Sequence, residues 1–99
     1  LLTRVRTLPC MVTGVYGQTQ PAHSNWGEHG KAKAIKADDN RVAAIASWIH
    51  RELDQGSRWS ARQRRELWWT AHCSTVMCLY RQGLWPHDVP LPSLVDFDP

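Results

Sequence analysis

Ser60 and Gln63 stand three residues apart, Trp59 precedes them, and the chain then runs without glycine or proline as far as Gly83. Ser-x-x-Gln is a capping box with Trp59 as its staple, and a glycine after the last turn is a common helix stop. The spacing predicts one helix over about residues 60–82, which at 1.5 Å per residue is about 33 Å long. Such an element spans a whole small domain, so the rest of the chain must be braced by it. Its buried stripe is expected from Leu67, Ala71, Ser74, Thr75, Cys78 and Leu79. Trp68 and Trp69 are adjacent and are not expected to face one core together. One of them is expected either exposed, as a platform for a base or a dimer contact, or partly buried against the C-terminal tail.

The 99 residues suit one domain, and a chain of this size buries roughly 60–65% of its unfolded surface. Val5–Val12 and Thr19–Ala22, separated by Gly14 and Gly17, read as two short strands, with Pro9 at an edge or bend. From Ser24 to Asn40 periodicity is lost and Gly27, Gly30 and the lysines describe a long loop. Asp39 or Asn40 can cap the next segment, where Val42, Ile45, Ala46, Ile49 and Leu53 recur at helical spacing. Val42–Ile45 can equally form a brief strand before a shorter helix. The proline-bearing tail from Trp85 is expected to pack as an irregular strap. The fold class is thus α+β: a short ββ element, a basic loop, a helix ending near Gly56, and the long helix.

Charge is uneven. The net charge is +3, with six Lys or Arg against three acidic residues in 1–50 and six against six in 51–99. The first half is therefore the phosphate-facing half, although so modest an excess permits nucleic acid without requiring it. Three cysteines leave no closed disulfide set, and the N-terminus carries no apolar core of a leader peptide. A cytoplasmic protein is expected. No apolar run approaches the roughly 20 residues that span a bilayer. Six tryptophans in a chain this short supply large aromatic areas to a small core.

The residues that carry chemistry are His23, at the end of an extended run, and His50 with Asp54, one helical turn apart. Positions i and i+4 share a helix face, so both can point at one cation, with His23 brought in from a strand. An ion held there would polarise a phosphoryl oxygen. If His50 and Asp54 hold the ion, His23 is the candidate base; if His23 is itself a ligand, the base comes from elsewhere, His29 being nearest in sequence. The duller alternatives are a solvated i,i+4 pair and a core histidine bonded to a carbonyl. Lys31, Lys33 and Lys36, with Arg41 beyond, are spaced as a flexible phosphate clamp that would position DNA without reading it. Arg58, Arg62, Arg64 and Arg65 form a second basic patch, of which Arg58 and Arg62 are the DNA-contact candidates. Arginines in a first helical turn oppose the helix dipole and call for a phosphate or Glu66. Cys73 and Cys78 diverge by about 140° on a helix and do not share a metal. Cys10 is expected to be a buried thiol.

Leu8-Pro-Cys10-Met-Val-Thr-Gly14, Ala22-His23-Ser24-Asn25, Gly30-Lys31, Lys36-Ala-Asp38-Asp39 and His50-Arg-Glu-Leu-Asp54 together resemble small phage and prophage proteins of the HNH-like (ββα-metal) nuclease type. The resemblance covers about residues 8–56, the finger core, with a weaker continuation through the supporting helix, residues 60–82, and leaves an irregular tail over 84–99 of a single domain. It implies that His23 is the active-site histidine, and that His50 and Asp54 are the helix ligands. The cysteine pair that the family places before the helix histidine falls on Ala46 and Ile49, and the partner of Cys10 is absent. No structural zinc is therefore expected, its place being taken by apolar packing. The implied activity is metal-dependent endonucleolytic cleavage of DNA in phage recombination or processing. Mg²⁺ or Mn²⁺ is expected where oxygen ligands dominate, Zn²⁺ or Ni²⁺ where imidazoles do. The alternatives are a non-catalytic DNA-binding recombination accessory protein and a dimeric interaction module built on the tryptophans. A homodimer would suit double-strand cleavage.

Overall fold

The computed structural model describes residues 2–23, 41–86, 89 and 91. Among them run α1 (Leu2–Val5), β1 (Thr19–His23), β2 (Val42–Ala46), α2 (Ser47–Gln55) and α3 (Ala61–Arg81). The long helix forms where its signals place it. Ser60 Oγ accepts the Gln63 amide at 3.1 Å and the Gln63 side chain accepts the Ser60 amide at 2.9 Å. At the other end Gly83 adopts φ +73°, the Gly83 amide reaches the Tyr80 carbonyl and the Leu84 amide the Leu79 carbonyl. That pair of bonds is a Schellman motif, for which a residue without a Cβ is the natural choice.

β1 and β2 form a two-stranded antiparallel sheet in which Thr19 faces Ala46 and His23 faces Val42. Pro21 costs no ladder bond. It lies opposite Ala44, whose own polar groups point away from β1. All five residues of β2 are completely buried, so the edge of β2 that β1 leaves open cannot turn to water. Four contacts satisfy it. The Thr75 hydroxyl accepts the Ala44 amide at 2.8 Å and donates to the Ala71 carbonyl at 2.7 Å. The Met11 amide donates to the Ala44 carbonyl, Cys10 Sγ accepts the Ala46 amide, and His72 Nδ1 meets the Val42 carbonyl at 2.8 Å.

β2 also divides the core. Ala43 and Ile45 face Cys10, Ile49, Trp68, Trp69 and Ala71, while Val42 and Ala44 face Val5, Leu8, Val76, Leu79 and Trp85. A strand covered on both faces reads as an unbroken apolar run, and Val-Ala-Ala-Ile-Ala does.

Several expectations are corrected. Val5–Val12 is not a strand: α1 occupies its start, and residues 10–15 fold back through bonds from the Cys10 amide to the Val15 carbonyl and from the Gly14 amide to the Cys10 carbonyl. The second strand is Val42–Ala46, so α2 is the shorter of the two helices that the periodicity allowed. Its N-terminus takes no side-chain cap, and Asp39 and Asn40 lie outside the described residues. The buried face of α3 is broader than the predicted stripe. Trp68, Trp69, His72 and Val76 belong to it, Ser74 is exposed, and Leu67 and Cys78 are half-buried. Both tryptophans enter one cluster, their rings tilted by 44° at 6.4 Å, because α3 packs over the sheet with a wide arc.

Cys10 is buried as expected, and its sulfur accepts the amides of Val12, Thr13 and Ala46. Burial pushes the thiol up, but the Thr13 hydroxyl and amide, with the Ala46 and Val12 amides, outweigh it and hold the group below the ordinary thiol range.

Thr75→Val keeps the shape of the side chain and leaves the buried Ala44 amide without an acceptor, so it is expected to cost about 1–3 kcal/mol. Urea denaturation checks this as a lowered midpoint at unchanged slope. For Cys10 the folded state favours the thiolate more than the unfolded chain does. That contribution is complete above the unfolded thiol's pKa and is lost as the pH falls through the lower folded value. The stability gap between the native chain and Cys10→Ser is therefore expected to widen toward alkaline pH, and a gap independent of pH would contradict the thiolate account.

Candidate functional site

Three elements converge on one cleft. β1 ends at Ala22 and His23; α2 turns His50, Leu53 and Asp54 to a common face; the first turns of α3 bring Ala61, Arg64 and Trp68 along another. Together these residues line a cavity of about 190 Å³. His23, far in sequence from His50 and Asp54, is thus their neighbour around one hollow.

His50 is held from both sides. Nδ1 lies 3.1 Å from Gln20 Oε1, and Nε2 lies 3.4 Å from Asp54 Oδ2. In the tautomer with the proton on Nδ1, that nitrogen donates to the Gln20 oxygen. A neutral ring then turns a lone pair, Nε2, toward a carboxylate, and two acceptors side by side call for something positive between them. Either a proton on Nε2 or a cation meets that need. Donors about 2.1 Å from one ion lie about 3.4 Å apart in a tetrahedral shell and about 3.0 Å apart in an octahedral one, so the observed separation is that of a direct Nε2–H contact to the carboxylate or of a tetrahedral cation, and would close slightly around an octahedral ion. Gln20 stands behind the imidazole as the partner that fixes a ligand's tautomer.

His23 is positioned through the backbone on either side of it. Trp68 Nε1 donates to the carbonyl of Ala22 at 2.8 Å. His72, stacked on Trp68 at 4.9 Å and 8°, meets the carbonyl of Val42, the residue opposite His23 in the sheet. The end of the strand pair is therefore clamped by two α3 side chains.

Among the described residues no three or more His, Cys, Asp and Glu side chains converge as a metal-holding group. His23 lines the cleft without joining the His50–Asp54 pair in a three-ligand group.

The predicted basic residues distribute differently. Arg58 lies over the rings of Trp48 and Trp59 at 5.7 and 5.8 Å and 3.9 Å from Glu52. Arg62 pairs with Glu66 at 2.9 Å, the compensation expected for a cation in the first turn. Neither lines the cleft, nor does Arg41, the residue before β2. Lys31, Lys33, Lys36 and His29 lie outside the described residues. The arginine that does line it is Arg64. Sequence reading placed Arg64 in the basic patch without singling it out. The signal was present: Ala61, Arg64 and Trp68 recur at helical spacing from the Ser60 cap.

No protein-family model matches the chain, and comparisons with curated proteins and with solved structures yield no match. Among the described residues no helix is long and apolar enough to cross a membrane.

Gln20→Leu removes the acceptor for His50 Nδ1 while keeping the size of the side chain. Loss of the Nδ1-protonated tautomer is expected, read from the ¹⁵N shifts of the His50 ring; an unchanged tautomer would mean that Gln20 does not orient it.

Proposed function

We propose that the protein is a metal-dependent DNA endonuclease of the ββα-metal kind. The observation that carries this reading is the convergence of His23, from the end of a strand, with the His50–Asp54 pair, from the helix after the next strand, on one cleft. β1, β2 and α2 follow each other in the order strand, strand, helix, as the resemblance implies for a finger of this type. Cys10, Ala46 and Ile49, at the positions where the resemblance implies zinc ligands, lie in one buried cluster.

The donor set, one imidazole and one carboxylate, leaves most positions of an ion to water and phosphate oxygens, which suits Mg²⁺ or Mn²⁺. When bound, such an ion would supply charge to a phosphoryl oxygen and to the departing oxygen. His50 and Asp54 would hold it, with Gln20 fixing the ring. His23 would take a proton from the attacking water as the new oxygen–phosphorus bond forms. The bond from phosphorus to the 3′ oxygen breaks, and that oxygen takes its proton from solvent. Trp68 and His72 keep the strand end from drifting, so His23 meets the water in a fixed position.

Plasmid and branched DNA are expected to be cut in the presence of Mg²⁺ or Mn²⁺. His23→Ala should lower the cutting rate by about 10²–10⁴-fold while leaving DNA binding in place. DNA binding without cutting by the native chain, over Mg²⁺, Mn²⁺, Ni²⁺ and Zn²⁺, would overturn the nuclease reading in favour of a DNA-binding accessory protein.

A further inference from the structure

We infer that Arg64 forms an oxyanion subsite in the wall of this cleft, and that its ligand is a phosphodiester of the DNA backbone. The inference rests on the nuclease reading in naming the DNA, and on Arg64 itself in naming the anion.

A guanidinium carries five N–H donors in a rigid fork and no acceptor. Arg64 Nη1 reaches the Leu53 carbonyl, near the end of α2, at 3.4 Å. Nε is completely buried and has no hydrogen-bond partner among the described residues. A buried donor left unmet is costly, more so on a charged group, whereas Arg58 and Arg62 are exposed and have carboxylate partners. Arg62, two residues earlier, has its Nε on Glu66. Arg58 has Glu52. Arg64 has no such carboxylate among the described residues, although it sits in a cleft whose opposite wall carries Asp54.

What would satisfy Arg64 is an acceptor entering the cleft, toward which the guanidinium must turn, because its Nε is closed to solvent in this structure. The Nε edge of a guanidinium offers two parallel donors to two oxygens of one group, and phosphate and carboxylate match it. Two observations select phosphate. The cavity of about 190 Å³ holds one tetrahedral group with its waters. The neighbouring His50–Asp54 pair is the proposed cation position, and a cation next to an arginine calls for a ligand with more than one charged oxygen to share. Leu53 lies between His50 and Asp54 in the helix, so the Nη1 bond ties the fork to the helix that carries the pair. The subsite and the cation position therefore keep their spacing.

The test uses the full chain, first without metal. Inorganic phosphate is titrated while the Arg64 Nε–H resonance is followed by ¹⁵N NMR. Saturable movement of that resonance is expected in the native protein, loss of phosphate binding in Arg64→Gln and weakening in Arg64→Lys. A short DNA duplex is expected to displace the phosphate from the native chain, which separates backbone phosphodiester from free phosphate as the ligand. Arg64→Met, of similar length and without the buried donor, is expected to melt at a higher temperature than the native chain while binding no phosphate. This combination distinguishes a ligand-binding arginine from one that merely holds α2. An Arg64 resonance that ignores phosphate, or phosphate binding in Arg64→Gln equal to native, overturns the subsite. If the native chain cuts DNA and Arg64→Gln cuts it with the same KM and kcat, the subsite fails and the nuclease reading stands. If Arg64 binds phosphate and DNA but no metal supports cutting, the nuclease reading fails and the subsite stands.

Discussion

The second edge of β2 is the constraint on which this fold rests. A two-stranded sheet has two open edges, and the usual remedy is water, a third strand, or a covering element. β2 is wholly buried, which removes water. What replaces it is a mixed set of groups from both ends of the described chain: Cys10 Sγ and the Met11 amide on one side, Thr75 and His72 on the other. Each supplies what the strand lacks at that point, an acceptor for an amide or a donor for a carbonyl. The arrangement fixes the register of α3 against the sheet, because Thr75 and His72 sit on one face of the helix three residues apart. The small side chains of Ala43, Ala44 and Ala46 let α3 approach closely enough for those bonds to form.

The candidate site inherits its geometry from that docking. Once His72 is on the Val42 carbonyl, the stacked Trp68 lies one turn nearer the start of α3 and its indole N–H falls on the Ala22 carbonyl. One turn further back, Arg64 faces the cleft. A single line of residues along α3, Ala61, Arg64, Trp68, His72 and Thr75, therefore runs from the cleft to the centre of the strand edge. The same line joins fold to site, and displacement of α3 along its axis would disturb both. α2 is fixed independently of α3's line, through its direct continuation from β2 and through Gln20 on His50.

Much of this was legible in the chain and some was not, for physical reasons that differ by residue. The ends of α3 were legible because caps are local: Ser60 with Gln63, and Gly83, settle their own backbone groups. Cys10 as a buried thiol and the His50–Asp54 face were legible for the same reason. The pairing of Thr19–His23 with Val42–Ala46 was not, because Val42–Ala46 is apolar at every position and strand and helix alternatives share that pattern. The fate of Val5–Val12 depended on a turn organised by a sulfur acceptor, which no strand propensity encodes. Trp68 and Trp69 were misjudged together because burial of both needs a surface wide enough to receive two ring planes, a tertiary property. Arg64 looked like its neighbours Arg62 and Arg65; only the cleft sets it apart.

The distribution of satisfied and unsatisfied polar groups bears on where function sits. Along the open edge of β2 the Ala44 and Ala46 amides and the Val42 and Ala44 carbonyls find partners, even when the partner must be a thiol. In the cleft the rule relaxes. Arg64 Nε is buried without an acceptor among the described residues, and His50 Nε2 faces a carboxylate with a lone pair if the ring is neutral. A chain able to satisfy a difficult strand edge with Cys10, Thr75 and His72 could place a glutamate beside Arg64 as it does beside Arg62. Sequences that agree with their fold at every other level and break the rule in one concave place do so where a ligand completes the set. The Arg64 donor points toward an anion, and under the proposed nuclease reading the ligand that completes the cleft is a phosphodiester carried with a metal ion.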